Sequence, residues 1–507
     1  MDDNIYKNKF GKRVIFNKII LFVPYCDIYK NYIIKCLNSI ENQNYKYYEV
    51  IIVVDGYVLD YNLLLDFVKE KANYKLLVYK NNNGPAFSKW KFIEYIQTNI
   101  NNYKYNDIIG ILDGDDYLEN DAFHIINHTY NHHNCWVTFG NAIGKFCNFK
   151  VDYDILKSYK NIRKEKWLYN HIRTCKLGLL LNFKEDDFKM HDKWLIKCTD
   201  RPFVYNIIEW SGFKKTRFIN SIIYNYIEHD NNSYKTIDNN TKQRHLTYVT
   251  NIEPKQMIIE DIHIVMCVYK RVFNLKIQLE NLNEQTVSNR IILHIVNNNP
   301  DNNTIICDLL LKYSNKIKYY IYNYDNTYFG FQRFLTIKNI IIKNFIIDYI
   351  IIIDDDQIFS TDWVEKLYEL REPQVYYSWY VKKWDPNNLD YWNGSIINIT
   401  DCRRNNNPHI NERLHYGATC GCIIDIKIFN DNSELWRLPT NLPENVTIYN
   451  IEDLWLSYII ICYGWNIKRS FLPEQISLNL NSESEKESLW CRLINEKQLL
   501  LEFLVNK

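Results

Sequence analysis

Two short acidic clusters, each closing an apolar run, constrain this chain more than any other feature. Ile108-Ile109-Gly110-Ile111-Leu112 leads into Asp113-Gly114-Asp115-Asp116, and Tyr349-Ile350-Ile351-Ile352-Ile353 leads into Asp354-Asp355-Asp356. β-Branched runs of this length read as strands buried on both faces of a parallel sheet. Carboxylates packed at a strand end repel one another, and a divalent cation bridging to a ligand's phosphates relieves that repulsion. Open α/β sheets bind ligands just beyond the carboxyl ends of their strands. The pattern therefore predicts two nucleotide-binding sites.

The clusters belong to a longer repeat. From Tyr25 in the first half and Tyr269 in the second, landmarks recur in the same order. Gln43 and Gln285 come first (43−25 = 18; 285−269 = 16), then Asp55 and Asn298 (30 and 29). Gly84 and Gly330 follow (59 and 61), then Asp113 and Asp354 (88 and 85). Offsets that drift by a few residues fit duplicated scaffolds whose surface loops vary, and the repeat is too long for a solenoid unit. The expected organisation is a domain over 1–235, a linker over 236–258, where Asn and Thr cluster with Pro254, and a second domain over 259–507 ending in a helix over Ser482–Val505. At 507 residues, two α/β domains of 200–250 residues are a natural division.

Bulk properties narrow the class. Hydrophobic residues at 47% support globular cores, and a net charge of +1 gives no electrostatic case for nucleic acid or an anionic membrane as partner. Thirteen cysteines without CxxC pairs read as buried thiols in a reducing compartment. The most apolar stretch, Phe345 to Ile353, is too short to span a membrane and contains Asp348. Met1 to Arg13 lacks the apolar core of a signal peptide. These features predict a cytoplasmic protein. Heavy use of Asn, Ile, Lys and Tyr points to an AT-rich coding sequence, from a microbe or a large virus; in the latter case the location is the host cytoplasm.

Strands are expected at Ile19–Val23, Glu49–Val54 and Leu76–Tyr79, with helices over Asn31–Ile40 and Ser88–Ile100. Asp55, closing the second strand, can accept hydrogen bonds from a pyrimidine imide. Asn83-Gly84-Pro85 forms a tight turn into a helix whose N-terminus, with Lys89 nearby, suits a diphosphate. Residues 19–140 resemble the nucleotide-sugar-binding half of family 2 glycosyltransferases, which have the GT-A fold. The resemblance rests on Val23-Pro24-Tyr25, Ser39-Ile40-x-x-Gln43, Val53-Val54-Asp55-Gly56, Asn83-Gly84-Pro85 and Leu112-Asp113-Gly114-Asp115-Asp116-Tyr117-Leu118. It implies two tandem GT-A domains, Rossmann-like with mostly parallel sheets. Donor contacts would come from Pro24, Tyr25, Asp55, Gly84, Lys89 and Asp113, with Asp115 holding Mn2+ or Mg2+. Further along, the resemblance implies Asp200 in Thr199-Asp200-Arg201-Pro202 as general base, with Asp186 and Asp187 as rivals. It also implies His229 as an extra metal or diphosphate contact.

In the second half, Asn298 replaces the base-contacting carboxylate, so nucleotide preference can differ between halves. Phe329-Gly330-Phe331-Gln332-Arg333 matches the glycine-plus-basic turn, with Gly330 and Arg333 facing the donor and Arg333 able to grip a phosphate with two prongs. Asp354 and Asp356 take the nucleotide and metal roles. Ile451-Glu452-Asp453-Leu454 resembles the family's Glu-Asp motif, making Asp453 the base and Glu452 its partner in orienting the acceptor. Trp455 and Tyr376 to Tyr380 are candidates to stack on sugars, though core packing suits most of them. The implied activity is bifunctional, metal-dependent, inverting transfer from nucleoside diphosphate sugars, UDP-sugars favoured for the first half, to glycan, lipid-linked or protein hydroxyls. Two alternatives stay open. One half can be a non-catalytic carbohydrate-binding or scaffolding module. A nucleotidyltransferase would need a Gly-rich basic loop that Pro24-Tyr25-Cys26-Asp27 lacks.

Overall fold

The computed structural model describes residues 14–26, 32–57, 61–144, 161–230, 238–385, 387–392, 395–398, 414–470, 472, 475–477 and 492–506. They form two compact units, one of Phe16–Ile259 with Lys343–Ile346 and one mainly of Glu260–Ile342 and Ile347–Lys507. Each is described by itself.

The N-terminal unit is built on β1 (Ile19–Tyr25), β2 (Tyr48–Asp55), β3 (Tyr74–Tyr79), β4 (Ile108–Ile111), β5 (Tyr117–Leu118), β6 (Val137–Ile143), β7 (Asn170–Lys176) and β10 (Thr216–Asn225), with a small hairpin β8 (Lys189–Met190) and β9 (Lys193–Trp194). The sheet order is β3-β2-β1-β4-β7-β6-β10-β5. The first four strands run parallel, β7 lies antiparallel between β4 and β6, and β5 closes the edge antiparallel to β10. β1 is buried throughout because both faces are covered. Ile20 and Phe22 pack with the helix Pro85–Thr98, while Ile19, Leu21 and Val23 pack with Ile33–Glu41 and Ala122–His132. Alternation that a half-exposed strand would show is therefore absent from its sequence. The helix expected from Ser88 begins at Pro85, where proline's fixed φ and missing N–H suit a first turn.

The C-terminal unit repeats the plan with β11 (Ile262–Val268), β12 (Ile291–Asn297), β13 (Lys318–Asn323), β14 (Tyr349–Ile353), β15 (Gln357–Phe359), β16 (Val375–Ser378), β17 (Val381–Trp384), β18 (Ser395–Asn398), β19 (Tyr416–Gly417), β20 (Cys422–Asp425), β21 (Asn466–Arg469) and β22 (Gln475–Ser477). Its main sheet is ordered β13-β12-β11-β14-β20-β16-β21, so β13-β12-β11-β14 mirrors β3-β2-β1-β4. Within the expected linker, Asn239–Asn251 is a helix capped by the Asp238 side chain on the Thr241 N–H, with Val249 buried in the N-terminal core. Of the expected terminal helix, residues 482–491 lie outside the described residues; Ile494–Asn506 is helical and buries Leu500, Leu501 and Leu504.

The landmark glutamines explain part of the repeat. Gln43 donates to the Ser39 and Glu119 carbonyls (3.0 and 2.6 Å) and accepts from the Phe123 N–H (3.1 Å). Gln285 donates to the Asn281 and Ser360 carbonyls (3.4 and 2.9 Å) and accepts from the Val364 N–H (3.0 Å). Glu119 and Ser360 stand at the same distance past the acidic clusters (119−113 = 6; 360−354 = 6), as do Phe123 and Val364 (10 in each). One buried amide in each unit thus ties the first helix to the segment after the carboxylates. We expect Gln43→Ala and Gln285→Ala each to lower stability by about 1–3 kcal/mol, because buried backbone groups lose their partners. Urea midpoints equal to the parent's would refute the clamp.

In the C-terminal sheet, His263 Nδ1 meets His294 Nε2 at 2.9 Å, and His294 Nδ1 meets the Tyr322 hydroxyl at 3.0 Å. Burial holds both imidazoles below their ordinary range, His263 at about 3. The unfolded chain then binds protons that the folded one refuses, so stability falls as pH drops from about 6.5 toward 3. The double variant His263→Leu/His294→Leu should flatten urea stability between pH 7.5 and 5; an unchanged slope would rule the pair out as its source.

Candidate functional site

In the N-terminal unit the acidic cluster follows β4 directly. Asp116 is consumed by structure: its carboxylate accepts from the Tyr224 hydroxyl (2.6 Å) and the Ile227 N–H (2.8 Å). Burial, then the charges of Asp115 and Asp113, push it up to about 9. Asp115 faces His229 Nε2 at 2.8 Å, and the His229 ring stacks on Tyr32. Burial raises Asp115, and His229 opposes that rise. Asp113 is pushed up to about 7 by burial and then by the charge of Asp200. His171, stacked on Tyr224, places Nδ1 3.9 Å from Asp113. Burial, then Arg173, keeps His171 well below its usual range, so it is a neutral neighbour.

Asp200 opens the helix Asp200–Ser211 and is gripped by Lys89 Nζ (3.0 Å) and Arg173 (2.9 Å). Burial alone would raise its carboxyl, but Arg173 and then Lys89 outweigh it and hold it well below the carboxylate range. Arg173 reaches this point because β7 pairs it with Ile111, two residues before Asp113. The strand Asn170-His171-Ile172-Arg173-Thr174-Cys175-Lys176 carries too little apolar character to read as a central strand. Its polar residues are spent on the site and on a buried contact between the Thr138 and Thr174 hydroxyls at 2.5 Å. The rival Asp187 accepts from the Lys184 N–H (2.8 Å) and pairs with Lys255 (2.7 Å).

Asp55, expected at the base, accepts from the Asn83 N–H (3.0 Å), the Gly84 N–H (2.8 Å) and the Ser88 hydroxyl (3.2 Å). It anchors the turn in which Gly84 adopts φ +94° before the helix. Pro24 and Tyr25 are the last residues of β1, paired with Val53 and Val54, and Tyr25 is buried.

The C-terminal unit anchors its turn in the opposite sense. Asn298 donates from Nδ2 to the Phe329 carbonyl (2.7 Å) and to Cys267 Sγ (3.2 Å). A carboxylate can only accept, so the first turn offers N–H groups; an amide can donate, so the second offers a carbonyl. Gly330 is required by close approach, since a Cβ there would lie 2.1 Å from Glu452 Oε1. Arg333 bridges Asp354 (3.0 Å) and Glu452 (2.5 Å). Arg271 pairs with Asp355 (2.5 Å) and with Asp356. Burial pushes Asp355 up to about 7 and raises Asp356, while Arg271 pulls each back. Asp453, at the start of Glu452–Cys462, accepts from the Tyr416 hydroxyl, and its other oxygen from its neighbour's N–H (2.8 Å). Trp455 is core, donating to the Leu435 carbonyl at 2.9 Å.

The two clusters differ in their fitness for a metal ion. Among the described residues no three His, Cys, Asp or Glu side chains form a ready cation cage. A cation held with a diphosphate needs only one or two protein carboxylates, the phosphates and water supplying the rest. Asp113 and Asp115, raised by burial and supported by His229, fit that demand. In the C-terminal unit each carboxylate of Asp354-Asp355-Asp356 already faces a guanidinium, so that cluster does not fit an additional divalent ion as it stands. Arg173 and Arg271 were not identifiable from sequence as site residues. The signal for Arg271 was its place just past the landmark Tyr269; for Arg173 it was an unusually polar strand.

Residues 21–196 match the family model for glycosyl transferase family 2. Among solved structures, S. aureus TarS 1–349 in complex with UDP-GlcNAc is 14% identical with a TM-score of 0.31, over 44% of this chain and 61% of that one. The mannosyltransferase PcManGT from Pyrobaculum calidifontis, in complex with GDP-Man and Mn2+, is 15% identical with a TM-score of 0.27, over 43% of this chain and 57% of that one. The chain thus spans less than two thirds of either. No curated protein matches it. Among the described residues no helix is long and apolar enough to cross a membrane.

Arg173→Gln should free the Asp200 carboxyl to rise toward its ordinary value and lower stability at pH 7 by about 1.5–3 kcal/mol. A carboxyl held low stabilises above its unfolded pKa, so this deficit should shrink as pH falls below about 4. Urea titrations at pH 7 and pH 3 read the difference; a deficit independent of pH would remove Asp200 from the account.

Proposed function

With residues 21–196 a family 2 glycosyl transferase domain, we propose that the chain is a bifunctional, inverting glycosyltransferase taking sugars from nucleoside diphosphate donors to hydroxyl acceptors on a glycan, a lipid-linked sugar or a protein. The observation that carries this reading is electrostatic. Asp113 and Asp200, far apart in sequence, lie close enough for the charge of Asp200 to raise Asp113. Geometry supports the same neighbourhood: Arg173, paired in the sheet with Ile111 two residues before Asp113, holds Asp200 at 2.9 Å, beyond the end of β4, where such sheets bind ligands.

In the N-terminal unit, Asp113, Asp115 and His229 would hold Mn2+ or Mg2+, which when bound stabilises charge on the departing diphosphate. Lys89 and Arg173 offer the donor phosphates charge-assisted bonds. As they turn to the phosphates, the pull on Asp200 weakens and its carboxylate recovers basicity. The acceptor oxygen then bonds to the anomeric carbon from the face opposite the leaving group. Asp200 takes the hydroxyl proton, and the bond to the diphosphate breaks with its electron pair leaving on the nucleotide. In the C-terminal unit, Asp453 takes the base role with Tyr416 fixing one of its oxygens. Glu452 is set by Arg333, and Asp354, Asn298 and Gly330 border the donor.

A second reading, in which the C-terminal unit binds sugars without catalysis, draws support from its Asn298 and from guanidiniums occupying its carboxylates. Three variants of the full chain separate the readings. Asp115→Asn should abolish donor binding to one site. Asp200→Asn and Asp453→Asn should each keep donor affinity and cut one transfer about 10²–10⁴-fold. Calorimetry and release of nucleoside diphosphate measure both. Full activity in Asp200→Asn and Asp115→Asn would refute the transferase assignment, and full activity in Asp453→Asn alone would favour the second reading.

A further inference from the structure

We propose that the C-terminal unit carries its own cation for a nucleoside diphosphate: Arg271, with Arg333 beside it, stands where a divalent ion would, and this unit binds nucleoside diphosphates without added metal. The inference rests on reading that unit as a donor site.

Four observations support it. Arg271 spans Asp355 at 2.5 Å and Asp356, while Arg333 spans Asp354 at 3.0 Å and Glu452 at 2.5 Å. Two guanidiniums thus engage every carboxylate of the triplet that a metal would need. In the N-terminal unit the partners of Asp113 and Asp115 are imidazoles, His171 at 3.9 Å and His229 at 2.8 Å. Second, two residues past the landmark tyrosine, the first half has Asp27 and the second has Arg271. In sequence, the stretch just past Val268 supplies the cations Lys270 and Arg271, and the stretch just past Tyr25 supplies Asp27. Third, Arg271 keeps 41% of its side chain exposed while bound to the carboxylates. Five N–H donors are available on a guanidinium, and Asp355 and Asp356 engage two of its nitrogens. Fourth, the buried Arg333 Nε–H and Asn298 Oδ1 have no hydrogen-bond partner.

A guanidinium is permanently charged and presents paired N–H groups that match two phosphate oxygens, which an ammonium cannot do. Arg271 can therefore hold Asp355 and Asp356 on one edge and a diphosphate on another, the bridging geometry a divalent ion supplies elsewhere. A metal ion entering this unit would have to displace Arg271 from both carboxylates first.

The full chain tests this directly. UDP and GDP are titrated calorimetrically in EDTA and then in Mn2+, and Mn2+ alone is counted by electron paramagnetic resonance. We expect one nucleotide equivalent to bind in EDTA and a second to require Mn2+. No more than one Mn2+ should bind per chain, with that number unchanged in Asp356→Asn. Arg271→Gln should weaken the EDTA-resistant equivalent about tenfold or more, and Arg271→Lys should restore it only in part. If Arg271→Gln does not fold, the Mn2+ count on the parent and on Asp356→Asn decides the matter. Two nucleotide equivalents that both require Mn2+, or a Mn2+ count that drops from two to one in Asp356→Asn, would overturn the arginine substitution and leave the donor-site reading intact. No binding of UDP or GDP under either condition would overturn that reading, and the substitution with it.

Discussion

The structure turns on carboxylates driven into a low-dielectric strand end. β4 and β14 are buried along their whole length, and each delivers acidic side chains to the point where the apolar layer stops. Burial first, and neighbouring carboxylates after it, push Asp113, Asp116 and Asp355 above the usual carboxylate range. Everything placed around them is compensation: hydroxyl and amide donors on Asp116, imidazole on Asp115, guanidinium on Asp354, Asp355 and Asp356.

The two units meet this need differently. The N-terminal unit leaves Asp113 and Asp115 short of positive charge and puts its lysine and arginine on Asp200 instead. The C-terminal unit puts arginines on the acidic triplet itself, and Arg333 links that triplet to Glu452. The two units thus share the order of four parallel strands and differ in the charge balance at the strand ends. The buried glutamines that tie helix to post-cluster segment belong to the shared part. They touch only backbone, so they are indifferent to what the neighbouring side chains become.

Loop fastening shows the same separation between scaffold and chemistry. Asp55 and Asn298 occupy matching strand ends and hold matching turns, one by accepting from N–H groups and the other by donating to a carbonyl. The residue type changed, and the backbone of the turn reversed its polarity to suit. A position read from sequence as a contact for a nucleotide base thus has a fold-level duty that accounts for its burial and its placement.

Much of the architecture is legible in the sequence. Runs such as Ile108–Leu112 and Tyr349–Ile353 can be accommodated only between two covered layers, and their order with Gln43, Gly84, Gln285 and Gly330 announced a scaffold used twice. The acidic clusters were legible from the apolar runs they close, and Gly84 from the Asn83-Gly84-Pro85 turn, where its φ is +94°. Helix Asn239–Asn251 was hidden because its composition is polar and only a few side chains, Val249 among them, are buried. Arg173 and Arg271 were hidden for another reason: their roles depend on which distant carboxylate the folded chain places against them. Sequence by itself determined the apolar strands, the repeat and the acidic strand ends, since these arise from local hydrophobicity and backbone geometry. Only the tertiary structure decided which cation neutralises which carboxylate, because charge pairing acts through space and leaves no periodic trace along the chain.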